Sequence, residues 1–368
     1  MLARCRVWCL ALLLSHSGVV DLWGAGWPKA GCGPSGNRLS ATSQPPPLFT
    51  FHSGFWLNAD HFLYVLGRAA ANAPDSHRSA VAGAVTDSES ADLSGQARAA
   101  WKSAVSAYQN DFSERDLVFD REMAATTKTL AEADDDPAPP PTLGKPLDAV
   151  LESAAPIYRE YWWPRHADAD QEFTAELEEL LAQYGRPIAE FIAKVWQQHW
   201  PSAGFTVEVS AYANWAGAYS TRGGLIVISS LASANAGSQG LETIFHEAMH
   251  QWDRAMAARI GKAARRLRQP VPSQLLHSLI FYTAGFAVSR TVPDHQPYAQ
   301  VNGLWTRGSL HPLNDLDAYW RPYLEGKVEL DEALRNLLSP AAAFRANQLA
   351  FGDRITAMPT DHLRRFGH

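Results

Sequence analysis

The sequence predicts an α+β fold that is predominantly helical, with a small mixed sheet packed on one helix that carries a His-Glu-x-x-His motif. Three observations predict it. Phe205-Thr206-Val207-Glu208-Val209-Ser210 alternates apolar and polar residues, the period of a strand. Leu225-Ile226-Val227-Ile228-Ser229 is a short β-branched run, as in a strand buried on both faces. Most of the remaining chain carries helical spacing of apolar residues, including the stretch that holds the motif. Hydrophobic content of 46% and charged content of 19% fit a globular chain. The net charge of −6 implies no basic face and so no nucleic-acid partner.

Taken in order, the chain divides into a signal and linker over 1–46, a helical region over 47–200, and a region over 201–368 that holds the sheet and the motif. Arg4 and Arg6 precede the apolar stretch Val7 to Leu14, as in an export signal. That stretch is too short to span a bilayer, so an exported protein without a stable membrane span is expected. All three cysteines, Cys5, Cys9 and Cys32, lie ahead of the body of the chain, which leaves no internal disulfide there. Pro28 and Lys29 are wrong for a lipoprotein signal ending at Cys32, so no lipid anchor is expected. Residues 33–48 have linker composition.

From Leu48 the chain becomes aromatic, and Phe51 to Tyr64 reads as a strand or turn followed by a helix. Residues 94–130 are helical, with Trp101, Val105, Tyr108 and Phe112 on related faces. The Asp- and Pro-rich stretch from Ala133 to Pro146 is a break, and helices follow over 147–199. After strand 205–210, Tyr212-Ala213-Asn214-Trp215-Ala216-Gly217-Ala218-Tyr219 is a second strand candidate and Thr221 to Gly224 a turn. The motif helix runs over about 239–258, and an almost wholly apolar helix over Ser273 to Arg290. Two more helices fall within 312–337 and one over 340–350. The basic run from Lys262 to Arg268 reads as a solvated helix end, where cations suit the dipole.

The chemistry lies in His246-Glu247-Ala248-Met249-His250. Residues four apart on a helix share a face. Two imidazoles so placed can grip one Zn²⁺, while the Glu between them reaches a metal-bound water as general base. Ile244, Phe245, Ala248 and Met249 flank the motif with apolar surface, as an active-site helix requires. The other reading of the motif is a helix with two capped or core histidines.

This order of elements, from Phe205 to Arg290, resembles the gluzincin-type zinc metallopeptidases, with a thermolysin-like, zincin-like core. The aromatic segment from Phe51 to Trp56 and the segment Phe281 to Gly285 also look like a group of exported bacterial proteins with this motif. The gluzincin resemblance implies a small sheet ahead of the motif helix, whose edge strand binds substrate backbone. Asn214, Trp215 and Ala216 occupy the corresponding place and are expected to form that edge. It also implies a third metal ligand on the next helix. The usual Glu of that helix is absent here, and its one good ligand is His277, with 26 residues between it and His250. A lone His on an apolar face is usually a satisfied core residue, but the nearby motif favours a ligand. Asp253, one turn past His250, reads as a support for a ligand imidazole. Asp294, His295 and His311 read as surface groups, and His52 and His61 as packed aromatic neighbours.

The resulting expectation is a zinc hydrolase acting on a peptide or protein substrate. Glu247 is the base, and Tyr298 the donor to the oxyanion, with His311 next in line. Two rivals stand beside it: an exported zinc-binding scaffold without turnover, and a zinc hydrolase of a non-peptide bond.

Overall fold

The computed structural model describes residues 46–72, 93–133, 140, 145–214, 216–221, 223–307 and 310–339, all within one compact unit. The expected export signal, the three cysteines, Trp215 and the helix expected over 340–350 lie outside the described residues.

The fold is predominantly helical around a mixed sheet of four strands: β1 Phe49–His52, β2 Phe205–Ser210, β3 Ala218–Ser220 and β4 Leu225–Ser229. Their spatial order is β1-β2-β4-β3, with β1, β2 and β4 parallel and β3 antiparallel on one edge. Parallel strands need long crossovers, and the crossover from β1 to β2 is a set of helices. These are α1 Phe55–Asn72, α2 Gly95–Ala107, α3 Arg121–Ala131, α4 Lys145–Tyr161, α5 Trp163–Leu180 and α6 Arg186–Trp196. After β4 come α7 Ser238–Met249, α8 Asp253–Leu267, α9 Leu275–Ser289 and, beyond shorter turns, α10 Leu330–Leu337.

Both faces of the sheet are covered, because successive strand residues point to opposite sides. Val207, Val209, Ile226 and Ile228 pack with Ile244, Phe245 and Leu279 of α7 and α9. Val227 and Tyr219 point the other way, into a core made with α1 to α4 around Trp56, Phe62 and Trp101. The motif helix therefore lies directly against the sheet, and α9 packs along it as the return helix.

Three boundaries differ from the sequence reading. The motif helix is interrupted by a 3₁₀ turn at His250–Trp252, and its continuation α8 runs to Leu267, past the expected end at 258. Arg265 and Arg266 sit in the last turn of α8 and Arg268 closes it in a left-handed conformation, as the basic run suggested. Asn214 and Ala216 are not in a strand. The Ala216 N–H donates to Asn214 Oδ1 (3.0 Å), the Gly217 N–H donates to the Asn214 carbonyl (3.1 Å), and Gly217 takes φ +82°. Asn and Gly make a turn here, so the edge strand begins only at Ala218.

One buried carboxylate ties the strand ends together. Asp170 of α5 is fully buried and accepts from Ser53 Oγ (2.7 Å), Asn58 Nδ2 (3.0 Å) and Ser230 Oγ (2.6 Å). Ser53 and Ser230 immediately follow β1 and β4, and Asn58 lies in α1. Asp170→Ala removes the acceptor shared by these three donors, two of them half-buried beside a groove, and is expected to cost about 1–3 kcal/mol in unfolding free energy. Urea unfolding measures it; a loss under about 0.5 kcal/mol, the range of neutral surface changes, would show that this network is dispensable.

Candidate metal centre

The side chains of His246, His250 and His277 converge. One ligand nitrogen from each lies within 4.8 Å of the others, and the three together could hold a metal ion. Their ring centroids form a near-equilateral triangle of 5.0, 5.2 and 5.3 Å. His246 and His250 are brought together by one helical turn across the end of α7, and His277 by the second residue after the start of α9. The chain makes the meeting possible by returning α9 along the motif helix through apolar contacts such as Ile244 and Leu279.

The donor set suits a cation. His250 Nε2 and His246 Nε2 are 3.2 Å apart. Two nitrogens bound tetrahedrally to one zinc at about 2.1 Å sit roughly 3.4 Å from each other. His250 Nδ1 lies 3.1 Å from Asp253 Oδ2 and 3.3 Å from Oδ1. A carboxylate only accepts, so Nδ1 carries the proton and Nε2 keeps its lone pair. Asp253 is thus the support that its spacing suggested. Burial first, then the neighbouring imidazoles, hold His246 well below the usual histidine range. Burial, then His250, pushes His277 down to about 3. Both are therefore neutral near pH 7, the form in which imidazole binds metal. His250 moves up instead: burial pushes it down, but the Asp253 hydrogen bond and the Glu247 and Asp253 charges together outweigh that.

Glu247 is 7% exposed. Burial raises its carboxyl, opposed by the His250 charge and a hydrogen bond with Ser220. Ser220 is the last residue of β3, so the edge strand reaches the motif carboxylate itself. Phe281, one turn beyond His277, lies against both His246 (centroids 4.1 Å) and His277 (4.7 Å). The Tyr298 ring runs near-parallel to Phe281, at 6.3 Å between centroids and 16°. Burial, then Glu242 and Glu247, raises its phenol, which stays protonated and able to donate.

The other candidates have separate roles. His295 Nε2 meets Glu242 Oε2 (2.6 Å), His52 Nδ1 meets Glu208 (2.8 Å), and His61 Nε2 meets Tyr219 (2.7 Å). His311 lies in the interior 3.7 Å from Asp315, and His295 is buried too, so neither is the surface group expected. Asp294 is exposed in a turn, at φ +60°. Asn214 and Ala216 sit in the turn before β3 rather than on the sheet edge. Sequence reasoning missed Ser220 and Glu242. Glu242 carried a signal, since it sits four residues before His246 on the same helical face. A groove of about 360 Å³ opens at the carboxyl end of β1 beside α5, and none of the three clustered histidines lines it.

Comparison with family profiles, with curated proteins and with solved structures returns no match for this chain.

The depressed histidines give a signed pH dependence. The folded pKa of His277, about 3, lies below the 6.5 of an unperturbed histidine. Its contribution to stability is therefore complete above pH 6.5 and is lost as pH falls towards 3. Chelator-treated protein should lose more stability across that window than His277→Phe treated alike, as followed by urea unfolding at several pH values. Parallel curves for the two proteins would show that His277 is not held neutral.

Proposed function

We propose that this chain is a zinc-dependent hydrolase of the gluzincin type and that its substrate is a peptide or protein. The observation that carries the reading is the position of Glu247. In the chain it lies between two of the three convergent imidazoles, its side chain is buried, and its helix packs on the antiparallel edge strand that ends at Ser220. A structural metal site has no use for a carboxylate there.

His246, His250 and His277 would hold the ion and leave one position open, the arrangement of catalytic zinc. Zinc bound there supplies Lewis-acid polarisation of a carbonyl and acidification of water. Glu247 takes the proton of the attacking water and passes it to the leaving amine. Ser220, at the end of the edge strand, is the hydroxyl placed to steady the carboxylate for that transfer. The Tyr298 phenol donates to the oxygen on which negative charge develops.

The peptide preference rests on β3. The Thr221 N–H donates to the Leu225 carbonyl and the Ser229 N–H to the Gly217 carbonyl. Residues 217, 219 and 221 therefore turn their backbone groups toward β4, and the antiparallel alternation turns those of Ala218 and Ser220 outward. An extended chain of any sequence can pair with such an edge. The substrate-binding strand is thus assigned to Ala218–Ser220, adjacent to the Asn214–Ala216 turn.

Glu247→Gln keeps size and hydrogen bonding but deletes the base. Bound zinc should remain at the parent level while hydrolysis of a fluorogenic peptide falls by about 10²–10⁴. Turnover close to that of the parent would remove Glu247 from the mechanism.

A further inference from the structure

Glu242 is a buried carboxylate that the reaction does not use. It is 1% exposed and lies in α7, one turn before His246 on the same helical face. Its Oε2 accepts two hydrogen bonds from the segment after α9, from His295 Nε2 (2.6 Å) and from the Tyr298 backbone N–H (2.8 Å). The other nitrogen of His295 meets Ser238 Oγ at 2.8 Å, at the first residue of α7. Gln239 Nε2 adds a bond to the Gln296 carbonyl (2.7 Å). The return helix leaves room for this crossing only at a glycine. A Cβ on Gly285 would lie 2.8 Å from Pro297 Cβ and 3.2 Å from Glu242 Oε1.

A buried carboxylate is costly, and Oε1 of Glu242 has no hydrogen-bond partner. Neutral side chains could also hold 294–298. What the Glu242 carboxyl adds is a short bond to His295 and a second to the backbone N–H of Tyr298. The Tyr298 ring then runs near-parallel to Phe281 at 6.3 Å between centroids, and Phe281 lies tilted against His246 and His277. The chain of contacts runs from Glu242, through the Tyr298 backbone and ring, back to the histidines one turn along the same helix.

We propose that Glu242 and His295 form a clamp that positions the Tyr298 phenol over the three-histidine cluster. Its catalytic consequence rests on the peptidase reading, but the positioning does not. Neither clamp residue touches the reacting atoms; both act through Tyr298.

The test places 3-fluorotyrosine at position 298 and follows its ¹⁹F resonance, with zinc alone as the probe. In the parent the line should be displaced from that of free 3-fluorotyrosine and should move when zinc is added. In Glu242→Gln both effects should shrink by half or more, and in Glu242→Ala further, with zinc content unchanged. If Glu242→Ala fails to fold, Glu242→Gln decides alone. On a peptide substrate, Glu242→Gln should lower kcat about tenfold with KM within about twofold, and should add nothing to Tyr298→Phe. A fluorine line unchanged in Glu242→Gln overturns the clamp. Effects that shrink in Glu242→Gln while the parent cleaves no peptide uphold the clamp and overturn the peptidase reading.

Discussion

Three imidazoles, one buried and two largely covered, share a small volume, and the rest of the site is organised around that constraint. Imidazole is a polar ring, and hiding it without partners is unfavourable. His246 shows the difficulty most clearly: its Nδ1 is buried with no hydrogen-bond partner, and its Nε2 faces another ring nitrogen. Asp253 relieves His250, but His246 and His277 are pushed toward the uncharged state by burial first and then by the neighbouring His250. A set of lone pairs aimed at one point is unfavourable in isolation and favourable around a cation.

The fold supplies that convergence through a few apolar contacts. The parallel strands β1, β2 and β4 are hidden on both faces, so helices must cover each side. The motif helix takes the face of Val207, Val209, Ile226 and Ile228. Glu247 is then next to the edge strand, where Ser220 reaches it. Asp170 and its three donors hold the carboxyl ends of β1 and β4 against α1 and α5, behind this arrangement. No described helix is long and apolar enough to cross a membrane.

Much of this was legible in the sequence where the signal is local. The motif fixed the helix and two of the imidazoles, since a spacing of four is one helical turn. The β-branched run 225–229 and the alternation at 205–210 both became strands. His277 was legible because it is the one good ligand in an apolar helix. Non-local facts were hidden. Nothing near Phe49 tells that it pairs with Phe205 across the whole helical region. The segment 212–219 looked like one strand because it is aromatic, while Asn214 and Gly217 set a turn inside it. Ser220 is an unremarkable residue in sequence, and only the sheet geometry brings it to Glu247.

The account stands on three histidines sharing one ion, so the most direct measurement is zinc-edge X-ray absorption on purified, zinc-equilibrated protein, paired with its elemental content. The account predicts one zinc per chain, with three imidazole nitrogens at about 2.0–2.1 Å and a light fourth ligand. A chain that retains no zinc after dialysis, or a zinc that sees only two imidazoles, would contradict it.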